Sequence, residues 1–306
     1  MAFVRDALTW VDTGAIAYPA LHKKIIELTM PGLVVKRLFP EFPLVAGKTA
    51  TFVKESGSRA AGISETAEGT EIIMDFTPLT TVTVTPYKKA QRVRITRENI
   101  EDLYIPVIEQ QLRRLARRMV YTIDKDCQAV IDAAAPAANT FAATGTSMGA
   151  TGTEFTISGG LGQYDILKCK ALIEAVSLIP DHILLNPVNS RDVYKLPQFT
   201  IAAWFGPAPE GPLVQTGRIG TIFGMDVDIS PVIPAGTAYV LSTGLNVSAA
   251  YAPLGFFVIK RPLLTDIDVK KEFDAVDVVL STRYSPVVTY GAVSYTHLTL
   301  PTNREV

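Results

Sequence analysis

The side chains of this 306-residue chain that could carry covalent or metal chemistry are few: two cysteines, three histidines and some clustered carboxylates. Cys127 falls in phase with Leu112, Leu115, Met119, Ile123 and Ile131, on what reads as the apolar stripe of a helix. A thiol in that position is expected to be buried and inert, because a nucleophilic cysteine needs an accessible, electropositive setting. His182 opens the apolar run 182–185 and reads as a strand-edge histidine; His22 and His297 lie near the two ends. Asp266, Asp268, Glu272, Asp274 and Asp277 alternate with Ile267, Val269 and Phe273, the pattern of a solvated strand edge more than of a metal cage. A thiol or metal-dependent hydrolase would require a pocket uniting Cys127 or these carboxylates with His182, and no spacing places them together. Gly159, Gly160 and Gly162 precede a helix, yet no Lys-Ser or Lys-Thr follows as a phosphate loop demands, so they are expected to form a turn leading into Asp165 as helix cap. Neither catalysis nor a bound cofactor or metal is expected.

Arg113, Arg114, Arg117 and Arg118 are more informative. On a helix the pairs 113/117 and 114/118 lie one turn apart and form a basic stripe opposite the apolar one. One reading is a solvated face paired to nearby carboxylates such as Glu109. The other is contact with nucleic-acid phosphates or with acidic groups of a neighbouring subunit, either of which arginine can hold bidentately.

These arginines need a long helix to carry them. Pro106 suits a helical first turn, and apolar positions from Val107 and Ile108 through Val130 and Ile131 keep helical spacing to Ala135. That predicts a rod of about 45 Å at ~1.5 Å per residue. Before it, Thr96 is expected to cap a short helix over 97–104. Residues 48–96 change to a period of two, with strands expected at 49–53, 71–76, 79–85 and 92–95, enclosing a polar segment, 55–69, that has little to bury. A two-stranded ribbon with a polar tip is marginal in water by itself, so it calls for a surface to pack against, and a neighbouring subunit is the simplest.

Elsewhere the pattern predicts a modest helix within 1–30, a strand over 33–42, a loop over 133–153, a helix over 164–176, a buried strand over 182–185 and a helix starting near Asn189. A long Pro-rich connection spans 199–217, and strands are expected at 221–229, 238–242, 247–251, 256–260, 276–282 and 287–290. The chain is thus an α+β protein.

Composition excludes several classes. At 48% hydrophobic and 19% charged the chain is globular, and a net charge of −1 does not suit a dedicated nucleic-acid binder, although a local basic face remains open. Two cysteines do not make a disulfide framework, which points to a reducing cytoplasm. Neither an export signal nor a run of roughly 20 apolar residues is present, so no membrane insertion is expected.

Taken in order, several segments resemble the major capsid proteins of tailed bacteriophages, the HK97-type fold. They are the loop entry Phe52-Val53-Lys54-Glu55, the return through Phe76-Thr77-Pro78-Leu79 and Tyr87-Lys88-Lys89, the stretch from Val93 to Asp102, the long spine helix, and the stretch from Gly220 to Val227. The resemblance implies an N-terminal arm (1–34), a first peripheral strand and extended β-hairpin loop (35–95, the loop about 46–92) and a spine helix with peripheral domain (96–160). An axial domain (161–265) and returning peripheral strands (266–292) would follow. It further implies a non-enzymatic subunit of the virion capsid, self-assembling as pentamers and hexamers in the bacterial cytoplasm into an icosahedral shell around double-stranded DNA. Scaffolding protein and portal would be partners, and an encapsulin-like nanocompartment shell is the nearest alternative. Lys54, Glu55, Arg59, Glu65 and Glu68 become candidate inter-subunit contacts of the loop, and the arginine stripe a candidate inner-surface or inter-subunit contact. Residues 294–302 resemble a translated sequencing-adaptor segment, so 293–306 are expected to be a non-native tail and the last strand incomplete.

Overall fold

The computed structural model describes residues 33–55, 79–96, 98, 107–134, 146–148, 154–156, 161–175, 178–194, 220–244 and 254–289. The expected helices within 1–30 and over 97–104, the strands at 71–76 and 247–251, the 199–217 connection and the C-terminal tail lie outside these residues, apart from Glu98.

The larger sheet is built from β1 (Glu41–Pro43), β4 (Tyr87–Thr96), β11 (Gly255–Lys270) and β12 (Ala275–Val288), in the order β1-β11-β12-β4. β11 and β12 form one long antiparallel hairpin, in register from Gly255↔Val288 to Lys270↔Ala275, with irregularities around Arg261. The separate strands expected at 276–282 and 287–290 are therefore a single strand, and the run expected over 256–260 continues ten residues further. Alternating Val, Leu, Thr and Tyr favour that extension, since such side chains pack on a half-buried pleated face. Gly255 is required by the close approach of its partner: an added Cβ would lie 2.0 Å from the Val287 carbonyl oxygen.

Helix α1 (Val107–Ala133), about 40 Å long, lies across one face of this sheet. Its buried stripe is Leu115, Ala116, Met119, Ile123, Cys127 and Ile131. These meet Val278, Leu280 and Tyr284 of β12 in the main core, each full burial contributing on the order of 1.5–3 kcal/mol. The segment expected to be a strand over 33–42 is instead a 3-10 turn (Lys36–Leu38) followed by the three residues of β1. The cause is Asp124 on α1, whose carboxylate accepts the N–H groups of Val34 (2.9 Å) and Lys36 (3.0 Å) and so bends the chain onto the helix. Leu33, Val35, Leu38 and Phe39 are then buried together, which no period of two allows.

Beyond α1 come β5 (Thr146–Met148) and β6 (Glu154–Thr156), a short pair where only loop was expected, then α2 (Gln163–Glu174). Gly162, not Asp165, occupies the N-cap of α2; Asp165 sits at the third helical position and accepts the Gly162 N–H at 2.9 Å. The second sheet has the order β10-β7-β9-β8, from β7 (His182–Leu185), β8 (Thr221–Ile222), β9 (Met225–Ile229) and β10 (Ala238–Leu241). The strand expected over 221–229 is folded into a hairpin: Phe223 and Gly224 both take positive φ (51° and 81°), as a two-residue type I′ turn requires. Helix α3 (Pro187–Tyr194) starts two residues earlier than expected, beneath the Asn186 side chain that accepts the Val188 N–H. Both sheets share one core with α1, since Tyr239 and Leu241 of β10 belong to the same buried cluster as Leu115 and Tyr284.

The ribbon pairs β2 (Ala50–Glu55) with β3 (Leu79–Val84), in register from Ala50↔Val84 to Glu55↔Leu79. Its root packs on the face of the larger sheet opposite α1, through Ala50, Phe52, Val82 and Val84 against Phe256, Val258 and Val287. Phe52 stacks on Phe256 at 4.8 Å and Phe42 meets Phe52 edge-on at 5.2 Å.

Candidate functional site

Helix α1 divides its polar residues between two tasks. Toward its C-terminal half they hold other elements in place. Asp124 fixes the 34–36 turn, and burial raises its pKa while the backbone N–H donors of Val34, Lys36 and Val35 work the other way. Asp126 accepts the Tyr284 hydroxyl of β12 at 2.7 Å and pairs with Lys89 of β4 at 3.2 Å. Burial, followed by the Asp126 contact, pushes the Tyr284 phenol far up, so it stays a donor. Gln128 donates to the Tyr239 hydroxyl (3.1 Å), which donates to Asp132 (3.2 Å). One helix thus orients both sheets.

Toward its N-terminal half α1 turns outward. Arg113, Arg114, Arg117 and Arg118 are all exposed and line an open groove of about 790 Å³ with Gln91 of β4, Gln110, Tyr121 and Thr122. The helical spacing therefore brings the four together as expected. Among the residues whose side chains are described, Arg114, Arg117 and Arg118 have no carboxylate within 4 Å. The groove can seat an anion; it offers no nucleophile or general base.

The remaining sequence candidates are dispersed. The Cys127 thiol is fully buried, and burial, reinforced by Asp124 and Asp126, drives its pKa well above the ordinary value, the reverse of what a nucleophile needs. His182 opens β7 as expected and lies 3.1 Å from Asp228, which also pairs with Arg37 at 3.1 Å. Burial is the largest single influence on that histidine and lowers its pKa. The Asp228 bond with the charges of Asp181, Asp228 and Asp226 outweighs it, and the net shift is upward.

Of the acidic cluster, Asp266, Asp268, Glu272 and Asp274 are exposed, as the reading of a solvated edge expects, and Asp277 is the exception. Asp277 is buried on an interior strand of the larger sheet, near the hairpin turn, gripped by Arg94 through two bonds of 2.8 and 3.0 Å and approached by Arg92 at 3.4 Å. The Arg94 bond is the main reason its pKa is lowered. Asp277 departs from that reading because β4 covers the second side of β12 and supplies the arginines. Among the described residues no three His, Cys, Asp or Glu side chains form a metal-holding group, and no helix is long and apolar enough to cross a membrane.

Of the loop candidates, Lys54 and Glu55 sit at the outer end of β2 opposite Thr80 and Leu79; Arg59, Glu65 and Glu68 lie outside the described residues. Sequence reasoning missed a second set of cations, Lys88, Arg261 and Arg283, which the larger sheet aligns across three strands. Only strand register reveals it, since the three are far apart in sequence.

A family model described as phage capsid protein matches residues 79–294, from the second ribbon strand through β4, α1, the second sheet and the long hairpin. The chain belongs to the phage capsid protein family. Its fold is HK97-like, as solved structures agree. The mature capsid of bacteriophage PhiM1 aligns with a TM-score of 0.61 and 12% identity, over 89% of this chain and 88% of that one. The capsid of cyanophage P-SCSP1u gives 0.60 and 15%, covering 86% and 87%, and Microbacterium phage Oxtober96 gives 0.60 and 12%, covering 88% and 91%. No curated protein sequence matches significantly. At such identities individual residues carry no inherited role, but the capsid protein's architecture and its work as a shell subunit are clear.

Proposed function

We propose that this capsid protein self-assembles, without enzymatic activity, into an icosahedral shell of pentamers and hexamers around double-stranded phage DNA, in the cytoplasm of the bacterial host. The observation that carries this reading is the family match across 79–294 together with a ribbon whose root packs as a separate cluster outside the main core. In such a protein the work is done by contact area between copies, which closed symmetry repeats. Residues 1–34 would form an arm, 35–95 the first strand and loop, 96–160 and 266–292 a peripheral domain and 161–265 an axial domain, with β11 running across the 265/266 boundary. Scaffolding protein and portal are the further partners this role requires, and loop residues Lys54, Glu55, Arg59, Glu65 and Glu68 would contact neighbouring copies.

The exposed stripe Arg113, Arg114, Arg117 and Arg118 lines the lumen and meets DNA phosphates. What supports this is its helical concentration of charge, with no carboxylate beside three of its members among the described residues. Phosphate contacts of this kind are sequence-independent and salt-sensitive, which suits a shell that must hold any genome. Replacing Arg114, Arg117 and Arg118 together by Glu is expected to leave particles intact but reduce nuclease-protected DNA in a phage background. Undiminished DNA would overturn the assignment, and loss of particles from normally stable subunits would give the stripe to a neighbouring copy instead.

A further inference from the structure

The groove beside α1 holds more than cations. Among the arginines stands Tyr121, half exposed, one turn beyond Arg117 and Arg118 and two turns beyond Arg114 on the same stripe. Its ring makes no aromatic or cation contact with a described residue, and its hydroxyl no hydrogen bond. The two tyrosines that the C-terminal half of α1 meets behave otherwise. Tyr239 and Tyr284 are buried, and their hydroxyls are bonded to Gln128, Asp132 and Asp126. Tyr121 has no such part in holding the subunit together.

The other wall of the groove is β4. Lys89 pairs with Asp126 of α1, so Gln91, two residues on, looks toward the same helix, and Lys88 looks away from it. Gln91 and Gln110 bring two side-chain amides to the groove, neither with a partner among the described residues. The Thr122 hydroxyl, by contrast, donates to the Arg118 carbonyl at 2.9 Å. One turn past Tyr121, exposed Lys125 extends the stripe, and no described carboxylate lies within 4 Å of it. From Gln110 to Lys125 the stripe runs about 22 Å along the helix.

Cations, an open aromatic ring and unpaired amides answer three parts of one ligand. Guanidinium groups hold phosphate, a phenol ring stacks on the face of a base, and a carboxamide pairs with donors or acceptors on a base edge. Duplex DNA offers the ring little, because neighbouring base pairs cover each base face and exposing one requires unstacking. An acidic peptide uses the cations alone. We infer that this groove binds single-stranded nucleic acid, with an unpaired base stacked on Tyr121 and the flanking phosphates on Arg114, Arg117, Arg118 and Lys125. The inference rests on the phosphate-binding role proposed above for the stripe, and adds to it a preference for unpaired stretches over duplex. Stacking tolerates every base, so the preference is one of strand form and not of sequence.

Binding by the full chain held as unassembled subunits tests it, with labelled oligothymidylate and a duplex of equal charge as probes at matched salt. The single strand should bind about tenfold more tightly than the duplex. Tyr121→Ala should remove that margin while the slope of affinity against salt stays as it was, because no phosphate contact is lost. Tyr121→Phe keeps the ring and should keep the margin. Ultraviolet crosslinking of a halogenated-uracil strand to the wild-type chain should map to Tyr121, and that readout decides alone if the alanine variant does not fold. Equal affinity for the two probes, a margin that survives Tyr121→Ala, or a crosslink outside the groove would overturn the inference. So would loss of the margin in Tyr121→Phe, which would give the contact to the hydroxyl, or polyglutamate binding as tightly as the single strand, which would make the occupant an acidic peptide. If Arg114→Glu, Arg117→Glu and Arg118→Glu together leave duplex binding unchanged, the phosphate reading fails and this inference with it. If they weaken both probes and Tyr121→Ala weakens neither, only this inference fails.

Discussion

Asp124 shows how one side chain can decide a local fold. Its carboxylate is the acceptor for two backbone N–H groups of the 34–36 turn, and nothing else given by the structure serves them. Asp124→Ala is expected to cost about 3 kcal/mol in denaturant unfolding, because it strands two donors in a largely buried site; Asp124→Asn, which keeps one acceptor oxygen, should cost less. None of this was legible in the sequence, where Asp124 is one more polar residue on a helix and its partners lie 88 and 90 residues away. His182 was legible as a strand-edge residue, but its link through Asp228 to Arg37 was not. Its folded pKa lies above the ordinary histidine value of about 6.5, so its stabilising charge is fully present below that value and is lost as pH rises through the raised folded value. Melting temperature measured from pH 6 to pH 9 should therefore fall more steeply in the wild-type chain than in His182→Gln. Parallel slopes would mean that the imidazole does not matter to stability.

At the scale of elements, what the sequence disclosed depended on whether local periodicity or a distant partner set the outcome. The long helix was legible almost to the residue, because its apolar spacing is strong and its burial follows that spacing. So were β3 and β7, short runs bounded by clear breaks. The 33–42 segment was misread because a helix carboxylate overrides its strand propensity, and Asp277 was misread as solvated because a strand more than 180 residues earlier covers β12. The cation row has the same origin: only the pairing of β4, β12 and β11 makes neighbours of Lys88, Arg283 and Arg261. The ribbon was legible as a pattern, and its role gives a direct expectation. Its root is held by Phe52, Phe42 and Phe256, outside the main core. Deleting residues 56–69 should thus leave the subunit's cooperative melting nearly unchanged while abolishing or altering particle formation. Normal particles by electron microscopy would show that the ribbon is dispensable for assembly.

For the whole molecule, the two sheets, the helix between their tyrosines and the ribbon root form a single capsid subunit. Among the described residues both cysteines are buried, and Asp277, Asp181 and Asp124 each have partners. The charges left over, on α1 and on the opposite sheet face, point outward from both sides of one layer. The central claim is self-assembly, and the most direct measurement is imaging of the full chain, expressed and purified, by cryo-electron microscopy with sedimentation velocity alongside. Closed shells with fivefold vertices, each subunit carrying the 107–133 helix along one wall, are the expected result. A species that remains a monomer or small oligomer at all concentrations, with no closed particle in any field, would contradict it.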